Sequence, residues 1–249
     1  SLGFPDAYAF TKALGEIAVA ESAGDVPISV VRPSIIESAH SEPSPGWIRG
    51  FRMAEPVIIS YARGLLKEFP GVPEGTVDVI PVDFVVAAIC AVAARGPLGP
   101  DEGADIVQVA SGSVNPLQYG HLVDMVREWF TEHPIYDEIG QPITVPQWSF
   151  PGRGRVRKQL QRAARTLDRA QKVFEVLPVR GRQPEVGARL NAQRALIGRA
   201  AGYVDLYAAY AECVAVSGPE HLLDLSASLD DADLAAFAFD PRLLARSPY

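Results

Sequence analysis

The chain has 249 residues, which is enough for one large domain or two modest domains with a buried core. Its composition, 48% hydrophobic and 21% charged, excludes disorder and fibrous repeats as descriptions of the whole chain. The formal net charge of -7 argues against a nucleic-acid binder that needs many phosphate contacts.

Helical and strand-like patterns alternate in the first part of the chain. In chain order, the predicted elements are a helix over 5–22, a strand over 28–31, a helix over 56–69, a strand over 76–80, a helix over 84–94, a strand over 105–110 and a helix over 116–130. Strands that are separated by helices predict parallel pairing and an α/β fold. Residues 38–50 form a long loop rich in Ser, Pro and Gly, which we expect to be functional.

The composition changes near residues 148–154, where we predict a domain boundary. Beyond the boundary the apolar residues recur at helical spacing, so the second part is predicted to be mostly helical. The predicted elements there are a helical stretch over 156–174, a short strand over 174–179, a long helix over 185–216 and shorter helices over 219–226 and 231–237.

Two polar residues are predicted to start helices. Asp83 follows the segment Ile80-Pro81-Val82 and is predicted to cap the helix over 84–94. Asn115, followed by Pro116, has the pattern of a helix start as well.

Tyr8 and Lys12 are four residues apart in the first predicted helix, so their side chains are neighbours on one face. An ammonium charge favours a phenolate, and a tyrosine in such a pair can protonate a carbonyl oxygen during hydride transfer. The spacing also fits a solvated helix face with a tyrosine at the edge of the core. The next strand ends at Pro33, and open α/β sheets bind ligands at the carboxyl edge of their strands.

Five segments, in this order, resemble the fatty acyl-CoA reductases of the extended short-chain dehydrogenase/reductase superfamily. They are YAFTKALGE (8–16), VRPSII (31–36), EPSPGWIRGF (42–51), VDVIPVD (77–83) and SGSVNP (111–116). The resemblance implies the C-terminal part of a Rossmann-like, doubly wound parallel sheet followed by a mostly helical C-terminal domain. Residues 1–150 would be the C-terminal half of the reductase domain, with the catalytic helix and the substrate side, and residues 151–249 the helical domain.

The resemblance also implies roles for residues near the cofactor, which would be NADPH. Tyr8 is implied as the catalytic acid, and Lys12 as the residue that favours the phenolate and holds the nicotinamide ribose. The turn against the nicotinamide is implied to consist of Pro33, Ser34 and Ile35.

On the substrate side, the resemblance implies that Pro45, Gly46 and Trp47 form part of the wall that contacts the acyl chain. The implied reaction reduces the thioester of a long-chain fatty acyl-CoA, or of an acyl carrier protein, to an aldehyde and, if the aldehyde is retained, to an alcohol. The family's Gly-rich turn for the cofactor pyrophosphate does not follow a strand in this sequence. We therefore expect a fragment that is inactive alone.

Eight basic residues lie close together in this acidic chain, between Arg153 and Lys172. The run fits a solvated helix face, and it also fits a docking surface for CoA phosphates, for an acidic acyl carrier protein or for an anionic membrane. Its members are Arg153, Arg155, Arg157, Lys158, Arg162, Arg165, Arg169 and Lys172.

Cysteine usage predicts the compartment. Cys90 and Cys213 are the only cysteines, and neither has a His or Cys neighbour at metal-ligand spacing. We expect no metal, no disulfide framework and a cytoplasmic location. Two alternative functions stay open: another extended short-chain reductase, such as a carrier-bound thioester reductase or a nucleotide-sugar epimerase, and a noncatalytic module that binds acyl chains or a partner.

Overall fold

The computed structural model describes residues 4, 6–50, 55–64, 67–68, 71–99, 105–137, 139–151 and 218–245, together with scattered positions between 158 and 198. Its helices are α1 (Ala7–Ser22), α2 (Glu55–Ala62), α3 (Val82–Arg95), α4 (Tyr119–Glu132), α5 (Glu220–Ala227), α6 (Asp231–Ala236) and a 3-10 turn, Pro241–Leu243. Its strands are β1 (Ser29–Pro33), β2 (Ile35–Ile36), β3 (Thr76–Val77), β4 (Val79–Ile80), β5 (Asp105–Val109) and β6 (Leu117–Gln118).

The strands form three pairs, two of them parallel. β1 pairs with β5 in parallel, so that Ser29 lies opposite Asp105 and Pro33 opposite Val109. β2 pairs with β4 in parallel, whereas β3 pairs with β6 in an antiparallel sense. Helices join the parallel strands, and the predicted α/β class is confirmed.

The central core lies between α3 and the β1–β5 pair. The helix α3 is apolar because it buries one face, which includes Phe84, Ala88 and Val92. Leu222 of α5 and Phe239 are fully buried in the same cluster. Residues 218–245 therefore share the core of the first part of the chain, and the domain boundary near residues 148–154 stays a prediction.

Asn115 fixes the end of residues 218–245 to this core. Its side-chain nitrogen donates to the carbonyl oxygens of Pro241, at 3.1 Å, and Leu244, at 2.8 Å. The prediction that Asn115 starts a helix is wrong, because α4 begins only at Tyr119 and the two preceding residues pair with β3. Tertiary pairing therefore overrides the local helix-start signal of Asn115-Pro116.

Two other predicted elements are wrong in their extent. The helix predicted over 56–69 ends at Ala62, and Gly64 has a φ of +69°, a conformation that favours glycine and ends helices. The strand predicted over 76–80 is interrupted at Asp78, because its two halves pair with different strands.

The short helices predicted over 219–226 and 231–237 are confirmed as α5 and α6. The strand predicted over 174–179 lies outside the described residues, as does most of the helix predicted over 185–216. Within the ranges described above, no helix is both long enough and apolar enough to cross a membrane.

We expect Asn115→Ala to lower the free energy of unfolding by about 1–3 kcal/mol, because two buried carbonyl oxygens lose their donor. Urea unfolding measures the change. The control is Thr131→Ala, since the exposed Thr131 hydroxyl donates only to Arg127 within its own helix. An Asn115→Ala protein as stable as the control variant would contradict this anchoring role.

Candidate active site

Ser34 follows the carboxyl end of β1, at the edge where the chain changes its pairing partner from β5 to β4. The Ser34 amide donates to the carbonyl oxygen of Val109 at 2.9 Å, beside the end of β5. The next amide, of Ile35, donates to the carbonyl oxygen of Asp78 at 3.1 Å, beside β4. Such partner changes at the carboxyl edge of parallel strands are where open α/β sheets bind ligands.

Ser34 also brings an unmatched polar group to this edge. Its Oγ atom is buried and has no hydrogen-bond partner among the described residues. A buried hydroxyl without a partner costs free energy, so its presence at a strand end fits a site that receives a polar ligand group. The resemblance assigns Pro33, Ser34 and Ile35 to the nicotinamide, and the unmatched Ser34 hydroxyl fits such a cofactor.

An ion pair holds α1 beside β1. The Arg32 guanidinium donates to both carboxylate oxygens of Glu16, at 2.8 and 2.7 Å. The hydrogen bond from Arg32 lowers the pKa of Glu16, and the same bond raises the pKa of Arg32. Because Glu16 lies six residues before the end of α1 and Arg32 three residues after the start of β1, this contact requires the chain to reverse direction between them.

With this reversal, Lys12 and Ser34 lie on the same side of the ion pair. The four residues from Glu16 back to Lys12 span about 6 Å along the helix axis. The two residues from Arg32 to Ser34 span about 7 Å along the strand, in the same direction. Tyr8 lies about 6 Å further along the helix. The Tyr8 side chain is 70% exposed, and that of Lys12 is exposed as well.

The predicted acyl-side residues Pro45, Gly46 and Trp47 lie on the exposed part of the 38–50 loop. The side chains of Trp47 and Ile48 are 41% and 40% exposed. At the other end of the loop, Ser38 has a φ of +39°, which is unfavourable for a residue other than glycine. Its carbonyl oxygen accepts a hydrogen bond from the Val82 amide at 2.8 Å, a contact that helps to hold this conformation.

The prediction that Asp83 caps α3 is wrong. The residue before the helix is Pro81, and Asp83 lies in the first turn, where its carboxylate accepts hydrogen bonds from the amides of His40, Ser41 and Glu42. Burial raises the pKa of the Asp83 carboxyl, but hydrogen bonds from these three backbone amides and from its own amide outweigh burial and lower the pKa. Sequence reasoning missed this contact because its partners are more than forty positions away.

Four members of the basic run have described positions. Lys158, Arg162, Arg165 and Arg169 are helical and exposed, and their spacing of four, three and four residues lies along one helix face. The other four basic residues of the run lie outside the described residues. In the described part of the chain, no group of three His, Cys, Asp or Glu side chains is placed to hold a metal ion.

Comparisons with known proteins connect this geometry to one class of enzymes. The NAD-binding family model described as "Male sterility protein" matches residues 1–89. The chain is 38% identical over 148 residues to "Fatty acyl-CoA reductase 2, chloroplastic" of Arabidopsis thaliana. This alignment covers 58% of this chain and 24% of that protein.

Similarity of this kind extends to other plants and to a mammal. The chain is 36% identical over 144 residues to the "Alcohol-forming fatty acyl-CoA reductase" of Simmondsia chinensis, covering 57% of this chain and 29% of that protein. It is 30% identical over 139 residues to "Fatty acyl-CoA reductase 2" of Bos taurus, covering 56% and 27%. The alignments therefore span between 24% and 29% of these relatives' own lengths.

The fold is α/β, and residues 1–89 are similar to an NAD-binding family. The predicted resemblance to the fatty acyl-CoA reductases is confirmed.

We expect Ser34→Ala to leave the free energy of unfolding unchanged or to raise it by up to about 1 kcal/mol, because the hydroxyl that it removes has no partner. The matched control is Ser111→Ala. The Ser111 hydroxyl donates to Asp78 and to the carbonyl oxygen of Val79, so its loss should destabilise the fold by about 1–3 kcal/mol. Equal losses in the two variants, measured by urea unfolding, would show that Ser34 has a partner.

The Asp83 carboxylate should stabilise the fold at neutral pH and lose this contribution in acid. Because the pKa of Asp83 is lowered in the fold, its contribution is present above the unfolded pKa of about 3.9 and disappears as the pH falls through the folded pKa. We expect Asp83→Asn to cost about 1 kcal/mol near neutrality, a figure that allows for partial exposure.

Urea unfolding of Asp83→Asn and of the unsubstituted protein over a range of pH measures this contribution. The difference in unfolding free energy between the two proteins should shrink below about pH 4. A difference that is constant from neutrality into acid would contradict a lowered pKa for Asp83.

Proposed function

We propose that the natural protein containing this chain reduces the thioester of a long-chain fatty acyl-CoA, or of an acyl carrier protein, with NADPH. The observation that carries the proposal is the Glu16–Arg32 ion pair, which joins the helix of Tyr8 and Lys12 to the strand that ends beside Ser34. This pairing of a phenol and an ammonium beside a ligand edge suits reduction of a carbonyl group.

NADPH, when bound, supplies the hydride for the thioester carbon. In the proposed reaction, the Tyr8 hydroxyl hydrogen-bonds to the carbonyl oxygen and protonates it as negative charge develops. The Lys12 ammonium stabilises the phenolate that remains and binds the ribose of the cofactor. Pro33, Ser34 and Ile35 line the nicotinamide side, where the Ser34 hydroxyl offers its unmatched donor and acceptor.

On the acyl side, Pro45, Gly46 and Trp47 contribute to the wall of the substrate site. The exposed apolar surface of Trp47 and Ile48 supports this assignment, since a long acyl chain binds by removing such surface from water. Loss of the thiol gives an aldehyde, and a second hydride transfer gives an alcohol if the aldehyde is retained. One relative is named as alcohol-forming, which supports the second step for this protein.

The basic helix face supports an anionic thiol carrier as the partner. Lys158, Arg162, Arg165 and Arg169 place four positive charges along one exposed face of an otherwise acidic chain. CoA carries phosphates, and a carrier protein or a membrane surface with negative charge would meet the same face. We propose a cytoplasmic location, with contact to a membrane through residues 153–172, although one relative is named as chloroplastic.

A noncatalytic module that binds acyl chains is the second candidate, because the exposed Trp47 and Ile48 would serve binding without reduction. Tyr8→Phe distinguishes the two functions. We expect it to reduce NADPH consumption with palmitoyl-CoA by at least about a hundredfold, because a general acid contributes about that much or more. Acyl-CoA binding should be retained, because the substitution removes only the hydroxyl.

The assay uses the natural protein at its full length, with the 249-residue chain tested in parallel. Tyr136→Phe is the matched control, since Tyr136 is also exposed, at 62%, and lies on a different segment. We expect the 249-residue chain to be inactive alone. Full activity of Tyr8→Phe would remove Tyr8 from the mechanism, and binding without turnover in the unsubstituted protein would favour the binding module.

A further inference from the structure

The first turn of α3 holds the base of the 38–50 loop at several points. The Val82 amide donates to the carbonyl oxygen of Ser38 at 2.8 Å. The rings of His40 and Phe84 meet edge to face, with their centroids 5.5 Å apart, and Phe84 is buried in the core. The base of the loop is thereby joined to a helix that cannot move without disturbing the core.

Between these two contacts, the Asp83 carboxylate binds three consecutive amides. One oxygen accepts from the His40 amide at 2.9 Å. The other accepts from the amides of Ser41, at 2.8 Å, and Glu42, at 3.1 Å, and from the Ser41 hydroxyl at 3.2 Å. Hydrogen bonds to an ionised acceptor are stronger than those between neutral groups, so this is the strongest polar contact that we find at the base of the loop.

The exposed part of the loop depends on this base. The Gly46 amide donates to the carbonyl oxygen of the buried Ala39, at 2.9 Å, which ties the tip of the loop to residues beside the Asp83 contact. Trp47 follows directly in the chain and is 41% exposed. A shift of residues 39–42 would therefore move Trp47.

We propose that Asp83 is a positioning residue for the substrate site: its carboxylate holds the base of the 38–50 loop and thereby places Trp47 against the acyl chain. The inference rests on the proposed reductase function. Asp83 does not touch the reacting atoms in this proposal. It determines how strongly the enzyme prefers a long acyl chain over a short one.

Asparagine cannot replace the carboxylate, although it has the same shape. Both oxygens of Asp83 face N–H donors, one from His40 and the other from Ser41 and Glu42. In either orientation of an asparagine amide, its NH₂ group faces at least one N–H donor. Asp83→Asn therefore loosens the loop and leaves the volume of the side chain almost unchanged.

The test compares Asp83→Asn with Asp240→Asn in the natural full-length protein. Asp240 is a matched control, because its carboxylate also accepts a backbone amide, that of Arg242 at 2.9 Å, but it holds a different segment. The measurements are kcat and KM for palmitoyl-CoA and butanoyl-CoA, KM for NADPH, and deuterium uptake by peptides that cover residues 38–50.

We expect Asp83→Asn to lower the ratio of kcat/KM for palmitoyl-CoA to that for butanoyl-CoA by about tenfold, the factor that one lost charge-assisted hydrogen bond corresponds to. Deuterium uptake by residues 38–50 should rise, and KM for NADPH should stay within about twofold, because the cofactor residues lie on other segments. Asp240→Asn should leave both the ratio and the uptake by residues 38–50 unchanged.

An unchanged ratio in Asp83→Asn would overturn the selection of acyl length, and unchanged deuterium uptake would overturn the contact itself. If Asp83→Asn does not fold, Ser41→Ala is tested in its place, because this variant removes only the contact of the Ser41 hydroxyl with Asp83. It should change the deuterium uptake and the ratio of kcat/KM values in the same directions, but by less. A folded Ser41→Ala protein without either change counts against the proposal. If the unsubstituted protein is inactive, the reductase function and the acyl selection fail together, and deuterium uptake still decides whether Asp83 holds the loop.

Discussion

The partner change at Ser34 is the constraint on which the candidate site depends. A single continuous segment, residues 29–36, pairs first with β5 and then with β4. The amides on either side of the change are both bonded, so the backbone is satisfied while the Ser34 side chain is not. The edge that results has a fixed backbone and an unmatched hydroxyl, which is the combination that a ligand site needs.

The two sides of this edge are held by contacts of different kinds. On the helix side, the Glu16–Arg32 pair is partly exposed, and none of the residues of α1 is buried. Exposed ion pairs contribute little to stability and weaken with salt. On the loop side, the Asp83 carboxylate binds three amides at the start of α3, a helix that buries one face in the core. The 38–50 loop is thus attached directly to the core, whereas the ion pair between α1 and β1 lies at the surface.

Local patterns in the sequence predicted most of the helices, because each helix has an apolar face or a start signal within its own residues. The same patterns failed at Asp83 and Asn115, where a residue with the typical features of a helix start bonds to distant backbone instead. The i to i+4 spacing of Tyr8 and Lys12 is likewise local and could be predicted, but the level of Lys12 relative to Ser34 depends on an ion pair across sixteen residues. Contacts between residues far apart in the chain leave no periodic pattern in a single sequence, so these parts of the site cannot be predicted from it.

The contacts of residues 218–245 show how the second part of the chain relates to the site. Asn115 lies four residues beyond Ser111, and the Ser111 amide and hydroxyl bond to Asp78, whose carbonyl oxygen binds Ile35. The buried anchor for Pro241 and Leu244 is therefore a short chain of contacts away from the partner change at Ser34. Because the interior is closely packed, a displacement of the C-terminal segment would be felt along this chain. The last described residues are thus linked to this edge through Asn115, Ser111 and Asp78.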